Sequence, residues 1–160
     1  MEKPRVYKFK IFSDKRGYFN EIYLKKKINI NFKFSAISYS KKNVIRGLHY
    51  QIIKPQGKYI TLLKGHALDV AVNINKKNKN FGKIYKFILT PGIGVYIPPG
   101  YAHGIGFYDD ENILLYHMTE YRYSKYEKGI SYNDRSLKIN WHIQNPILSL
   151  RDKNHPPFKL

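Results

Sequence analysis

Hydrophobic and polar residues alternate in several short segments of the chain, which is the period expected of half-buried β-strands. The clearest example runs from Leu68 to Ile74, where every second residue is aliphatic and Asp69, Ala71 and Asn73 lie between them. Further short apolar runs occupy residues 59–63, 84–89, 94–97 and 113–118. The pattern therefore predicts a series of short strands.

Residues typical of turns separate these runs, and no long stretch of helical period lies between them. The separators are Gly65, Asn80–Gly82, Pro91–Gly92 and Pro98–Gly100. Many short strands at near-even spacing are typical of an antiparallel sandwich or small barrel of the jelly-roll kind. We therefore predict an all-β fold.

The ends of the chain differ from its middle. The first 40 or so residues are more polar, and we expect edge strands there that contact a neighbouring subunit. Residues 145–160 contain Pro146, Pro156 and Pro157, which predict an extended tail. A length of 160 residues fits one domain spanning residues 1–160.

Composition indicates a packed fold with a basic surface. Hydrophobic residues make up 42% of the chain, which holds fifteen Tyr and nine Phe, whereas disordered chains are poor in aromatic residues. The formal charge of +18 raises a polyanion as partner. The cations are spread from Lys3 to Lys159 rather than clustered, so we expect a solvated surface whose field would also favour a diphosphate.

The sequence has no cysteine, which excludes disulfides and thiolate metal ligands and fits a reducing compartment. It also has no run of about 18 apolar residues that would span a bilayer, and its first residues lack the apolar core of a signal peptide. We therefore expect a cytoplasmic protein without a membrane partner.

Four short motifs place polar side chains where they could carry chemistry. VIRGLHYQ at 44–51 holds Arg46 and His49, which would face opposite sides of a strand unless Gly47 allows a bulge. QGK follows at 56–58, IPPGYAHG presents His103 after a turn, and ILLYHMTEY contains Tyr116. A single histidine is more often structural than catalytic, so only the motifs taken together indicate a functional site.

In this order the motifs resemble the dTDP-4-dehydrorhamnose 3,5-epimerase family over nearly the whole chain. DKRGYFNE at 14–21, DVAVNI, FG, EKGISYND and LSLRD add to the resemblance. It implies a cupin-type jelly roll or β-sandwich with short peripheral helices. It also implies an isomerase of surface-polysaccharide biosynthesis that epimerises nucleotide-linked 4-keto-6-deoxy sugars as a homodimer, without a cofactor.

The resemblance also implies four catalytic residues. His49 corresponds to the general base and Asp152 to the carboxylate that orients it, an arrangement that fixes the imidazole tautomer and raises its basicity. Lys58 corresponds to the cation at the C4 oxygen, where an enolate forms. Tyr116 corresponds to the acid on the opposite face of the sugar, because inversion requires a second proton-transferring group.

A further set of residues is implied to bind the substrate. Arg46, His103 and Gln51 resemble residues around the sugar and diphosphate, and Tyr121 matches the aromatic position that stacks on the base. Arg16, Phe19 and Glu21 resemble a nucleotide-contacting segment supplied by the neighbouring subunit. Glu127 resembles a further binding acid, and Arg151 replaces a lysine of the family.

One departure from the family leaves the substrate open. Phe34, Ser35 and Ala36 stand where the family carries a Gln-Asp-Asn-like run, and such amides read a base by hydrogen bonds. The nucleotide therefore remains open among dTDP, GDP, UDP and CDP, and the sugar between hexose and heptose. Inversion at C3 alone and inversion at both C3 and C5 are both compatible with the sequence.

The same sequence features bear on several alternative functions. The six histidines form no HxH pair, so we expect no metal. A sugar-nucleotide 3,4-ketoisomerase would share fold and substrate class but would need no opposing acid. A basic domain binding single-stranded nucleic acid would show steeply salt-dependent affinity that His49→Ala leaves unchanged. A catalytically inactive sugar-binding relative is disfavoured because all four implied catalytic residues are present.

Overall fold

The computed structural model describes residues 2–159, and within them the chain is almost entirely β-structure. Twelve strands, one 3₁₀ turn and one short helix follow each other along the chain. They are β1 Arg5–Lys8, β2 Ile11–Asp14, β3 Gly17–Asn20, β4 Phe34–Ser40, β5 Ile45–Gln51, β6 Lys58–Lys64, β7 Ala67–Asn73, β8 Ile84–Leu89, β9 Ile93–Ile97, β10 Tyr101–Phe107, β11 Asn112–Met118, the turn Ser124–Tyr126, β12 Glu127–Gly129 and α1 Leu150–Lys153.

Ten of these strands form two antiparallel sheets. The first sheet has the order β1-β9-β6-β11-β4 and the second β12-β5-β10-β7-β8, while β2 and β3 form a separate hairpin. The all-β prediction is confirmed, and the five apolar runs of the sequence correspond to β6, β7, β8, β9 and β11.

Apolar side chains fill the space between the sheets and also cover the outer face of each. The central core joins Ile60 and Leu114 of the first sheet to Ile105 and Phe107 of the second. Segments outside the sheets supply the two outer layers. Ile28 packs on the first sheet, and Ile130, Leu137 and Trp141 pack on the second.

Strand β7 shows that, with both faces of a sheet covered, the alternating pattern does not identify the face that points to the central core. Its aliphatic residues Leu68 and Val70 face outward against the layer that contains Trp141. Ala71 packs in the central core, and Asp69, two residues earlier, therefore faces the space between the sheets. Every residue of β7 is buried. The pattern predicts the strand correctly but not which face points inward, because both faces are covered.

The two ends of the chain differ partly from expectation. The tail predicted as extended contains one helical turn, α1, because the Ser149 side chain accepts a 3.0 Å hydrogen bond from the Asp152 backbone N–H and caps it. At the other end, β1 pairs with β9 of the same chain, and the β2–β3 hairpin stands apart with exposed side chains. Neither helical segment in residues 2–159 is long and apolar enough to cross a membrane.

Candidate active site

A pocket of about 360 Å³ opens between the two sheets and is lined by both. Lys58 and Tyr116 line it from the first sheet, and His49 and His103 from the second. Asp152 of α1 closes one side. All four residues implied to be catalytic therefore meet in a single cavity.

A bulge at Gly47 turns Arg46 and His49 into the same pocket. Opposite them, β10 places Ile105 against Arg46 and His103 against His49, so β5 has one extra residue over this interval. Gly47 takes φ +126°, and a Cβ there would lie 2.5 Å from the Gly104 Cα. Only glycine fits this position. The sequence predicted that Arg46 and His49 would share one face of the strand only if Gly47 formed a bulge, and this bulge is present.

His49 and Asp152 form a hydrogen-bonded pair. The His49 Nε2 and Asp152 Oδ1 atoms are 2.5 Å apart, and the aspartate is buried while the imidazole is about one-third exposed. Although burial opposes ionisation of Asp152, hydrogen bonds from His49 and Ser149 lower the pKa of its carboxyl group. The ionised carboxylate accepts the Nε2 proton, so the lone pair of a neutral His49 lies on Nδ1.

His103 forms a second, deeper imidazole–carboxylate pair with Asp69. Their Nε2 and Oδ2 atoms are 2.5 Å apart, and both side chains are almost fully buried. Burial lowers the pKa of His103 in spite of the neighbouring charge of Asp69. The other oxygen of Asp69 has no hydrogen-bond partner among the described residues. Buried polar atoms of this kind are costly and are typical of functional sites.

Lys58 and Tyr116 supply a cation and a phenol on the opposite wall. Burial lowers the pKa of Lys58 to about 8, which leaves the amine protonated at neutral pH. Burial raises the pKa of Tyr116, so its hydroxyl group remains protonated over the same range. The Ser38 hydroxyl lies 3.5 Å from the Tyr116 oxygen. This wall can stabilise a developing negative charge and donate a proton.

Cationic side chains lie at the mouth of the pocket. Glu127 accepts hydrogen bonds from Arg122 at 2.8 Å and from Arg151 at 2.6 Å. Burial opposes ionisation of Glu127, but these two hydrogen bonds outweigh it and lower its pKa to about 2. Arg46 is held by Ser40 and by the Tyr39 carbonyl, each at 2.9 Å. Three guanidinium groups thus line a pocket that can receive an anion.

Other implied binding residues do not reach this pocket within the described chain. Gln51 is buried, and its amide bonds to the backbone of Lys54, Tyr121 and Tyr123. These bonds fix the two loops beside the pocket, and the contact of Gln51 with a substrate stays a prediction. Tyr121 lies next to the pocket, stacked on the lining residue Phe34 at 6.2 Å between ring centroids.

The three N-terminal binding residues are separate from the pocket as well. Arg16 and Phe19 line a shallow depression on the β2–β3 hairpin, and Glu21 follows β3. Arg16 is paired with Asp14 of the same hairpin at 2.6 Å. None of the three lines the pocket in its own chain, and their contact with a neighbouring subunit stays a prediction.

Several site residues were missed by reasoning from the sequence. Asp69 gave a usable signal, since it is one acidic residue within an aliphatic strand. His155 gave another, because it follows Asp152 by three residues, a spacing that joins side chains on one helical turn. Arg122 gave none. Phe34 was noticed only as a departure from the family, although it forms part of the pocket wall.

The tail also gathers a set of donor atoms that could hold a metal. His49, Asp152 and His155 each offer one donor atom, and these atoms lie within 4.8 Å of one another. The search for an HxH pair therefore missed these donors, because the fold brings them together from separate parts of the sequence. It was the reason for expecting no metal, and that expectation remains untested.

Fold and pocket together define a class of protein. A histidine–carboxylate pair and a tyrosine face one cavity from opposite sheets, an arrangement that suits proton removal on one face of a ring and proton return on the other. The β-sandwich provides the frame, and the lysine provides charge stabilisation. These features are typical of a cupin-like epimerase.

Comparison with known proteins identifies the family. The family model described as dTDP-4-dehydrorhamnose 3,5-epimerase matches residues 2–159. The chain is 36% identical over 163 aligned residues to the dTDP-4-dehydrorhamnose 3,5-epimerase of Shigella flexneri, covering 96% of this chain and 90% of the relative. It therefore belongs to the dTDP-4-dehydrorhamnose 3,5-epimerase family and is a sugar-nucleotide epimerase, an isomerase of carbohydrate biosynthesis.

Solved structures agree with this assignment. The Bacillus anthracis dTDP-4-dehydrorhamnose 3,5-epimerase with TDP and PPi bound matches with a TM-score of 0.91 at 32% identity, over 97% of this chain and 94% of that one. The Legionella pneumophila dTDP-6-deoxy-D-glucose-3,5-epimerase in complex with dTDP-4-keto-L-rhamnose matches with a TM-score of 0.90 at 29% identity, over 100% and 96%. Both relatives hold thymidine nucleotides.

Proposed function

We propose that the chain inverts C3 of a nucleotide-linked 4-keto-6-deoxy sugar through an enolate at C4. The observation that carries this proposal is that His49 and Tyr116 line one pocket from opposite sheets. Relatives named 3,5-epimerases support C5 as a second centre for the same cycle. The protons at both carbons are acidic because each carbon adjoins the C4 carbonyl.

His49 acts as the base in this mechanism. Asp152 accepts the Nε2 proton at 2.5 Å, so Nδ1 takes the proton from C3. As the C3–H bond breaks, its electron pair forms the enolate and negative charge develops on the C4 oxygen. The imidazolium that results is stabilised by the Asp152 carboxylate, which stays ionised.

Lys58 stabilises the enolate oxygen. Its side chain is half-buried in the pocket wall, where a charge interacts more strongly than in bulk solvent. His103, held by Asp69, is proposed to fix the orientation of the sugar by a hydrogen bond. The substrate carbonyl would thus meet the cation as charge develops.

Tyr116 completes the inversion. Its hydroxyl donates a proton to C3 on the face opposite His49, and the enolate electron pair forms the new C3–H bond. Solvent then reprotonates the phenolate, and His49 releases its proton to solvent. The number of protons balances over the cycle, and no redox step is required.

Arginines and aromatic rings would hold the nucleotide diphosphate. Arg46, Arg122 and Arg151 line the pocket and match the geometry of phosphate groups. Tyr121 and Phe34 form an aromatic surface beside it, on which a base can stack. The TDP and dTDP-sugar complexes of relatives favour a thymidine nucleotide, whereas GDP, UDP or CDP, and a heptose in place of a hexose, remain substrates to be tested.

The proposed enzyme works in the cytoplasm as a homodimer that serves surface-polysaccharide biosynthesis. The exposed β2–β3 hairpin supports the dimer, because Tyr18 and Phe19 have 64% and 66% of their surfaces accessible in the single chain. In the dimer, Arg16, Phe19 and Glu21 would contact the nucleotide in the partner's pocket.

The test is incubation with nucleotide-linked 4-keto-6-deoxy sugars in D2O, with deuterium incorporation followed by NMR. We expect deuterium at C3 together with an inverted product, and deuterium at C5 as well if both centres react. The variant Tyr116→Phe should retain exchange but lose inversion. No exchange at either carbon with dTDP, GDP, UDP and CDP substrates would reject the proposal, and migration of the ketone from C4 to C3 would establish a ketoisomerase instead.

A further inference from the structure

His155 lies beside the proposed catalytic pair, within ion-pair distance of Asp152. Its side chain is only 8% exposed, and its Nε2 lies 3.3 Å from Asp152 Oδ1 without hydrogen-bond geometry. The ring stands edge-on to His49 with 5.4 Å between the centroids. Two imidazoles thus approach the same carboxylate oxygen, and the buried nitrogen of the second has no hydrogen-bond partner among the described residues.

The surrounding backbone fixes His155 in this position. A Cβ at Gly129 would lie 2.2 Å from the His155 Nε2, so only glycine on β12 leaves room for the ring. The carbonyl group of Pro156 accepts a 2.8 Å hydrogen bond from Ser131 and holds the tail against the second sheet. The imidazole is therefore placed by packing and not by a flexible side chain on the surface.

The three donors have the chemistry of a transition-metal site. Two imidazole nitrogens and one carboxylate oxygen lie within 4.8 Å of one another, and Zn²⁺ prefers such ligands. Tetrahedral zinc with ligand distances near 2.1 Å separates its donors by roughly 3.3 Å. The Asp152–His155 separation of 3.3 Å already matches this value. To share the metal, the donor atoms of His49 and Asp152, now 2.5 Å apart, would separate toward the same value.

The cationic side chains of the pocket oppose cation binding, so the site depends on the negative charge of Asp152. Arg151 adjoins Asp152 in the sequence, but its guanidinium group is paired with Glu127 at 2.6 Å. The Asp152 carboxylate supplies one negative charge to the cluster. Mg²⁺ and Ca²⁺ prefer oxygen ligands, so the donor set selects zinc and its neighbours in the transition series.

We propose that His49, Asp152 and His155 form an inhibitory site for Zn²⁺ or a similar transition-metal ion. The metal would bind Nε2 of His49 in place of the hydrogen bond to Asp152, so the proton of a neutral His49 would lie on Nδ1 and that nitrogen could not accept a proton from C3. The inhibitory effect rests on the proposed function, whereas metal binding itself does not. Removal of the metal would restore the imidazole–carboxylate pair, so the inhibition is reversible.

The binding test uses the intact protein after treatment with a chelator. Titration with Co²⁺, followed by its visible absorption bands, and with Zn²⁺ by calorimetry should give one saturable site per chain. His155→Ala should weaken binding at least tenfold, whereas His142→Ala, which removes an exposed histidine outside the cluster, should not. Unchanged affinity in His155→Ala, or the lack of a saturable site in the wild type, would overturn the proposal.

Two further measurements distinguish failure of the metal site from failure of the proposed epimerase function. Zn²⁺ should shift the imidazole NMR signals of His49 and His155 in the wild-type protein, which tests the site even if His155→Ala does not fold. The inhibition constant for Zn²⁺ should rise at least tenfold in His155→Gln. Stoichiometric binding without any epimerase activity would refute the proposed function but leave the site standing, whereas activity that saturating Zn²⁺ does not reduce would refute the inhibitory role.

Discussion

His49 and His103 lie directly opposite each other in the register of β5 and β10, and each directs Nε2 toward a different carboxylate. Asp152 serves the first and Asp69 the second. The first imidazole is about one-third exposed and the second is almost fully buried. Two chemically similar pairs therefore stand side by side in different environments.

This difference predicts separable roles for the two histidines. His49→Asn should lower the rate of deuterium exchange at C3 by about 10³-fold or more, since general-base catalysis commonly contributes 10²–10⁴-fold. His103→Asn should retain exchange and lower kcat/KM by about 10- to 100-fold, the size expected for one hydrogen bond to the substrate. Exchange rates and kcat/KM are measured on the same substrate. Loss of exchange in His103→Asn equal to that in His49→Asn would contradict this division.

The ammonium group of Lys58 predicts an alkaline limb in the pH profile of kcat/KM. Its pKa of about 8 means that the cation is present below this pH and is lost as the pH rises through it. Activity should therefore fall above about pH 8. In Lys58→Arg the overall rate should be lower but this limb should disappear, because the guanidinium stays charged.

A control for this experiment lies at the other end of the same strand. Lys64→Met removes an exposed lysine of β6 and should leave both the rate and the limb unchanged, whereas Lys58→Met should abolish activity. If the limb near pH 8 persists in Lys58→Arg, it belongs to another group.

The close approach of β5 and β10 predicts a large effect of Gly47→Ala. The new Cβ would collide with the Gly104 Cα at 2.5 Å, and φ +126° is unfavourable for alanine. Together these effects should cost about 3 kcal/mol or more in the free energy of unfolding. Chemical denaturation measures this cost.

Gly17→Ala separates the two causes. Gly17 has a similar φ of +132°, but a Cβ there would meet nothing within 4 Å. This variant should lose only about 1 kcal/mol from the backbone conformation. Equal costs for the two variants would mean that the contact with Gly104 contributes nothing.

The exposed hairpin predicts a specific weakening of the proposed dimer. Phe19→Ser removes a ring that is 66% exposed in the single chain and should shift the molecule toward monomer in sedimentation experiments. Ile88→Ser removes a side chain that is 53% exposed on β8, the outermost strand of the second sheet, and serves as the control. A monomeric wild-type protein, or equal effects of the two variants, would exclude the hairpin from the interface.

The strands could be predicted from the sequence more completely than the site. Alternation at 68–74 identified β7, but it did not show that Asp69 faces inward, because both faces of that strand are covered. Gly47 made a bulge possible, but the sequence did not show that the bulge forms and turns Arg46 and His49 to the same side. Gln51 was assigned to the substrate through its motif, although its amide is used by neighbouring loops. Period and motif give spacing along the chain, whereas these contacts depend on which residues lie opposite each other in the fold.

The residues supplied by distant segments were accessible only through resemblance to the family. His49 and Asp152 are 103 positions apart, and no local pattern links them. Arg122 reaches the pocket from a loop whose path is set by Gln51 and its backbone bonds. Such contacts depend on the closed fold and not on local propensity.

The distance between His49 and Asp152 along the chain also determines when a refolding molecule becomes competent. Strand β5 pairs with β10 and β12 in the second sheet, whereas Asp152 lies on α1 outside both sheets, so its bond to His49 requires the segment around α1 to dock on β5. Contacts between residues far apart in sequence close slowly. The return of epimerase activity will therefore lag behind the recovery of β-sheet signal, so that turnover reports the docking of the tail and not the assembly of the sheets.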